Sequence, residues 1–87
     1  MKEKIDSLLS LIRDAERISG SEADWHVKYD LVFSPLVAGT IRTCLGELGL
    51  SLDWHSDSTY EEDVLAYVGA LRRLKWDVEK IHEALSR

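Results

Sequence analysis

The residues best suited to chemistry lie together near the middle of the chain, where histidine and carboxylate side chains follow one another. Imidazole nitrogens and carboxylate oxygens are common metal ligands, and a loop that meets a helix N-terminus could bring them together. Their spacing matches no zinc or EF-hand pattern, however, and the helix dipole explains acidic residues in a first helical turn. The sequence therefore favours a structural role here and keeps a metal- or histidine-dependent enzyme as an alternative. The cluster consists of Asp53, Trp54, His55, Asp57, Glu61 and Glu62.

The other histidines and the single cysteine show no catalytic arrangement. His26 lies at a polar position of an alternating stretch, and His82 lies at the margin of an apolar row, on the same side of its helix as Lys75. Neither is accompanied by the nucleophile or paired base that acid–base catalysis requires. Cys44 falls within an apolar row, which predicts a buried side chain and not a reactive thiol. We expect no catalytic residue, metal or cofactor, and the residues form no motif characteristic of a named family.

The chain contains three tryptophans, more than so short a core obviously needs. Trp25 is expected to pack against the first or the last helix. Trp54 lies in a loop, where it either closes the open end of a helical bundle or stands exposed as an anchor. Together with His55 and Tyr60, Trp54 forms the candidate anchor for a ligand or partner.

Length, charge and composition indicate one small globular domain, residues 1–87. Domains usually contain about 100 to 150 residues, so a second core has no room. The formal net charge of −5 argues against nucleic-acid binding, because it repels phosphate. The apolar runs are far shorter than the roughly 20 residues of a membrane span. The lone cysteine and the absence of a signal-peptide segment at the first residues predict a cytoplasmic protein that does not enter membranes.

Apolar residues spaced three and four apart predict an all-α fold. Gly20 marks the end of the first helix, and Ser21 with Asp24 predicts a capping box for the second. Ser34 and Pro35 are typical of an N-cap and a first helical position. The residues from Trp25 to Phe33 also alternate like a half-buried strand, but a lone strand would lack a hydrogen-bonding partner, so a helix is favoured. The predicted helices span about residues 3–19, 22–33, 35–48 and 59–86.

The predicted ends and lengths of the last two helices indicate an elongated molecule. Gly49 is expected to end the third helix, with Leu50 folding back onto Leu45 in a Schellman motif. Ser58 and Glu61 predict a capping box for the fourth helix. This helix would be roughly 40 Å long, whereas a spherical domain of this chain length would have a diameter of only about 31 Å. The expected fold is an elongated bundle of three rods, the middle rod being two nearly collinear helices broken at Ser34-Pro35. The core row of the fourth helix is predicted as Tyr60, Val64, Tyr67, Val68, Leu71, Leu74, Val78, Ile81 and Leu85.

The fourth helix also carries a second row on the side opposite this core row. An indole and a leucine beside a glycine predict a contact surface, although Trp76 could instead lie over Arg72 or Lys80 as an isolated exposed aromatic. In the first helix, two further apolar residues widen the apolar arc. The two surfaces predict a homodimer, which would add stability to a small domain. The predicted interface consists of Leu65, Gly69, Arg72 and Trp76 with Leu11 and Ile18.

These features favour a non-enzymatic protein-interaction module that self-associates and binds a macromolecular partner. Inhibitors, immunity factors and adaptors, including those of phages and mobile elements, are of this type. The first alternative is a small-ligand binder with a pocket near Trp54, Tyr60 and Trp25, and the second is the enzyme considered above. A helix-turn-helix DNA-binding module is disfavoured, because the third helix offers only Arg42 as a cation, against Glu47.

Overall fold

The computed structural model describes residues 2–56 and 59–86, and within them the chain forms four α-helices and no strand. The predicted all-α bundle is therefore confirmed. The alternating stretch between Trp25 and Phe33 is helical, which settles the choice between helix and strand. The helices are α1 (Lys2–Ser19), α2 (Trp25–Val32), α3 (Pro35–Leu48) and α4 (Tyr60–Leu85).

The core forms chiefly where α1 packs along α4, and α2 covers part of both. The apolar rows of the two long helices face each other there, as their spacing predicts. Each large aliphatic side chain removed from water contributes roughly 1.5–3 kcal/mol. The large side chains with essentially no exposed surface are Ile5, Leu8, Ile12, Val32, Ile41, Val64, Leu71 and Val78.

The break between α2 and α3 has the predicted chemistry but a larger angle than expected. The Ser34 hydroxyl oxygen accepts a hydrogen bond from the backbone N–H of Val37 at 3.3 Å, and Pro35 is the first residue of α3. The axes of α2 and α3 are bent by 49°, so the two helices are not the nearly collinear pair that was expected. As a consequence α3 packs on α1, while its backbone stays more than 8 Å from that of α4.

The end of α3 is the predicted Schellman motif. Gly49 adopts a left-handed conformation with φ 71°, and its N–H bonds to the carbonyl of Gly46 at 3.2 Å. The N–H of Leu50 bonds to the carbonyl of Leu45 at 2.9 Å. The chain therefore turns back at this point and runs towards α4.

The beginnings of α2 and α4 differ from the predicted capping boxes. The Ser21 hydroxyl donates to the carbonyl of Ile18 at 2.7 Å, so it serves the end of α1, and α2 begins at Trp25 instead of Glu22. Asp24 is the N-cap of α2 but accepts no side-chain capping bond. The predicted cap Ser58 lies outside the described residues.

The N-cap of α4 is Thr59, whose hydroxyl oxygen accepts a hydrogen bond from the N–H of Glu62 at 3.1 Å.

The described residues extend over 41 × 23 × 20 Å, which confirms the predicted elongated shape. Two residues of the predicted core row, Tyr60 and Leu85, are about half exposed at the ends of α4. The reason is length: α4 is some 12 Å longer than α1 at 1.5 Å per residue, so α1 cannot cover both ends.

None of the described helices is long and apolar enough to cross a membrane alone. Only α2 and α3 taken together reach that length and hydrophobicity, and the bend lies between them.

Candidate functional site

Four residues form a row along the side of α4 that faces away from the core, and we call this row the outer face. At 100° per residue, Leu65, Gly69, Arg72 and Trp76 lie within one narrow arc. Leu65 is 50% exposed and Trp76 is 62% exposed. A Cβ placed on Gly69 would meet no atom within 4 Å. The chain's own helices therefore leave the outer face open.

The indole of Trp76 makes a cation–π contact on its own helix. The Nζ atom of Lys80 lies 3.5 Å from the ring centroid, a cation–π contact worth about 0.5–1 kcal/mol at an exposed site. The contact with Lys80 that the sequence left open as an alternative is thus present. It leaves most of the indole surface in solvent.

The two residues of α1 that were predicted to extend the interface are placed differently. Leu11 and Ile18 are partly buried and pack against the core of the same chain. Their partial burial leaves Leu65 and Trp76 as the exposed large apolar side chains of the predicted interface.

The three residues of the predicted anchor do not form one site. Trp54 is partly buried and packs edge-on against Tyr67, with ring centroids 5.2 Å apart, and against Phe33 at 5.3 Å. Tyr60 is half exposed and contacts Tyr29 at 4.9 Å, and His55 is exposed. Trp54 therefore packs inward on Phe33 and Tyr67 and fills part of the space between α3 and α4.

A cavity of about 500 Å³ lies beside Trp54, between α3, the segment that follows it and α4. It exists because the α2–α3 bend holds α3 away from α4, and the returning chain bridges only part of the gap. Most of its wall is apolar or aromatic. Tyr60 and Trp25, which were expected to line a common pocket with Trp54, are not part of it. The main lining residues are Phe33, Arg42, Leu45, Leu52, Trp54 and Tyr67.

Three polar side chains line this wall, those of Arg42, Tyr67 and Ser51. Arg42 is the one charged side chain among the described lining residues, and it forms no ion pair with another described residue. Burial raises the pKa of the Tyr67 phenol above its ordinary value of 10.0, and the positive charge of Arg42 partly opposes that rise. The Tyr67 hydroxyl makes no hydrogen bond to any other described residue. A cation and a protonated hydroxyl are thus available to a bound molecule.

Tyr60 lines a separate, more open cavity of about 500 Å³ with Tyr29, Thr59 and Asp63. The two cavities share no lining residue, and a series of ring contacts runs from Tyr60 through Tyr29 and Phe33 to Trp54. The single pocket predicted near Trp54 and Tyr60 is therefore two cavities with different walls.

The described acidic and histidine side chains of the cluster that suggested a metal lie at the surface. Asp53, His55, Glu61 and Glu62 are exposed, and Asp57 lies outside the described residues. Across residues 2–56 and 59–86, no three His, Cys, Asp or Glu side chains are placed to hold a metal ion.

The remaining ionisable candidates connect helices. Nε2 of His82 lies 2.7 Å from Oδ1 of Asp6, and Nζ of Lys75 lies 3.3 Å from Oε1 of Glu16, so both pairs join α4 to α1. Cys44 is buried, as its position in an apolar row predicted.

Another ion pair joins α1 to α3, between Lys4 and Glu47 at 2.6 Å. The hydrogen bond with Glu47 and the negative charge of Glu47 raise the pKa of Lys4.

Sequence reasoning missed Arg42 and Tyr67 as members of one site. Tyr67 was assigned to the core row of α4, and Arg42 was considered only as the lone cation of α3. A signal was present, because Ala38, Arg42 and Leu45 are spaced four and three apart and so share a side of α3. That side faces the cavity.

Comparison of the chain with protein-family models, with curated proteins and with solved structures finds no match.

Proposed function

We propose that this protein is a non-enzymatic interaction module and that the outer face of α4 binds a second copy of the chain. The observation that carries the proposal is the exposure of Leu65 and Trp76 in one row opposite the core. Large apolar side chains exposed on one face of a helix are typical of interaction sites, and Trp and Arg are enriched in them. Through the same surface or the resulting dimer, the protein would recognise a macromolecular partner, as inhibitors, immunity factors and adaptors do.

The spacing of the outer face suits an antiparallel pair. If a two-fold axis passes between two copies of α4 at the level of the Ala70–Leu71 bond, Leu65 of one chain lies opposite Trp76 of the second copy. The same axis places Gly69 opposite Arg72, whose aliphatic stem can lie over the glycine. A two-fold interface is self-complementary, so each contact occurs twice. The outer face can therefore pack against the outer face of an antiparallel second copy.

Charges at the edges of this pair offset one another. On one edge Glu62 approaches Lys80 of the second copy, which is attractive, whereas on the other Glu61 approaches Glu79, which is repulsive. The two Leu–Trp contacts must then supply most of the affinity. Because one helix pair buries less than a standard interface, we expect a dissociation constant of about 10 to 100 µM.

Sedimentation equilibrium tests this proposal with two double variants of matched chemistry. Leu65→Glu with Trp76→Glu should give a monomer at concentrations where the unmodified chain is dimeric. Val27→Glu with Leu31→Glu provides the control, since these α2 residues are 38% and 49% exposed and lie on another helix. The control should dimerise normally. A chain that stays monomeric at several hundred micromolar, or a control that dissociates equally, would rule out pairing through α4.

A further inference from the structure

We infer that the cavity beside Trp54 binds a small amphipathic organic acid, with an apolar body held by the aromatic wall and one carboxylate held by Arg42 and Tyr67. The site is separate from the outer face of α4. Its occupancy does not depend on the proposed dimer.

The wall of the cavity favours an apolar body. The ring centroids of Phe33 and Tyr67 are 4.6 Å apart, and Trp54 packs against both, so three rings form one continuous surface. Leu45 and Leu52 complete the apolar lining. A volume of about 500 Å³ falls within the range of small-molecule sites, which are mostly apolar with a few polar groups that fix orientation.

The polar groups favour a single negative charge on the ligand. The whole chain carries a net charge of −5, yet the charged side chain that lines this cavity is a cation. A guanidinium group matches a carboxylate geometrically and binds it through charge-assisted hydrogen bonds. The Tyr67 hydroxyl remains protonated at neutral pH and can donate a second hydrogen bond. One guanidinium and one hydroxyl satisfy a carboxylate better than they would a phosphate dianion.

Gly46 allows the cavity to be blocked without weakening the fold. This residue lines the cavity from α3, and a Cβ placed on it meets no atom within 4 Å. Leucine has a higher helix propensity than glycine, so Gly46→Leu should keep α3 intact while its side chain occupies the mouth of the cavity.

The test compares decanoate with decanol, which share a chain length and differ in charge. Binding is followed by NMR through the three indole N–H signals, assigned with single Trp→Phe variants. Decanoate should shift the Trp54 signal much more than those of Trp25 and Trp76, and it should bind more tightly than decanol. Equal affinity for the two compounds, or equal shifts at all three indoles, would overturn the proposal.

Two variants separate the head-group contact from the cavity itself. Arg42→Gln should weaken decanoate binding about tenfold and leave decanol binding unchanged, because only the charged contact is lost. Gly46→Leu should abolish both, with an unchanged circular dichroism spectrum and an undiminished melting temperature. If Arg42→Gln binds decanoate as tightly as the unmodified chain does, Arg42 does not hold the carboxylate. Both variants should have the same oligomeric state in sedimentation as the unmodified chain. A failure of the ligand-binding proposal can therefore be distinguished from a failure of the dimer proposal.

Discussion

Lys28 shows how a single residue can join two elements. It is only 5% exposed, although lysine is among the residues least often buried. Its ammonium group donates to the carbonyl oxygen of Ser19 at 2.9 Å and lies 3.9 Å from the ring centroid of Trp25. Ser19 ends α1, so its carbonyl has no partner within the helix and carries the negative end of the helix dipole. Lys28 therefore fastens α2 to the end of α1.

Replacing Lys28 with methionine keeps the aliphatic volume and removes the charge. Because the Ser19 carbonyl loses its donor, we expect a loss of about 1–3 kcal/mol in the free energy of unfolding, measured in urea. Lys80→Met is the control, since Lys80 also lies over an indole but at the surface. It should cost less than about 1 kcal/mol. Equal losses in the two variants would show that the bond to Ser19 contributes nothing.

The helix ends show which elements are specified locally. The end of α3 requires a residue at positive φ, and Gly49 supplies it. The start of α3 requires an N-cap, and Ser34 supplies it with the side chain that the sequence predicted. Both features depend on residues within about five positions along the chain, so the order of residues shows them directly.

Two glycines, one within α3 and one directly after it, should respond oppositely to replacement with alanine. Gly49→Ala should lower the free energy of unfolding by about 1–2 kcal/mol, because alanine is strained in the left-handed conformation. Gly39→Ala should raise it by about 0.5–1 kcal/mol, since Gly39 lies within the helix and a Cβ there meets no atom within 4 Å. Thermal and urea denaturation would measure both. A loss of stability in both variants would contradict the assignment of Gly49 as the residue that ends α3.

At the scale of the whole molecule, the longest helix, α4, has its buried residues on one side only. Leu71 of α4 is fully buried in the core, and Leu65 on the same helix is half exposed. The two leucines have the same helix propensity and the same change of volume when replaced with alanine. Their difference in stability therefore reports only what surrounds them.

At low micromolar concentration, where the proposed dimer dissociates, Leu71→Ala should cost about 2–5 kcal/mol. Leu65→Ala should cost less than about 1 kcal/mol under the same conditions, because half of its side chain is already in solvent. Urea denaturation followed by circular dichroism would measure both values. A cost for Leu65→Ala close to that for Leu71→Ala would mean that the outer face is covered in the monomer.

The sequence by itself determined the helices, the break at Ser34-Pro35, the end of α3 at Gly49 and the apolar rows that form the core. These features follow from propensities and hydrogen bonds between residues within about four positions of each other, which the order of residues displays directly. The elongated shape follows too, because the length of a helix depends only on its number of residues.

Only the tertiary structure decided the 49° bend, the burial of Lys28 and the site that brings Arg42 to Tyr67. The same holds for the start of α2, where the Ser21 hydroxyl bonds back to α1 and does not cap the next helix. Side-chain patterns show which side of a helix is apolar, but the angle and separation of two packed helices depend on how their surfaces interlock. The cavity beside Trp54 lies where α3 and α4 are held apart, and only the packing of all four helices sets that separation.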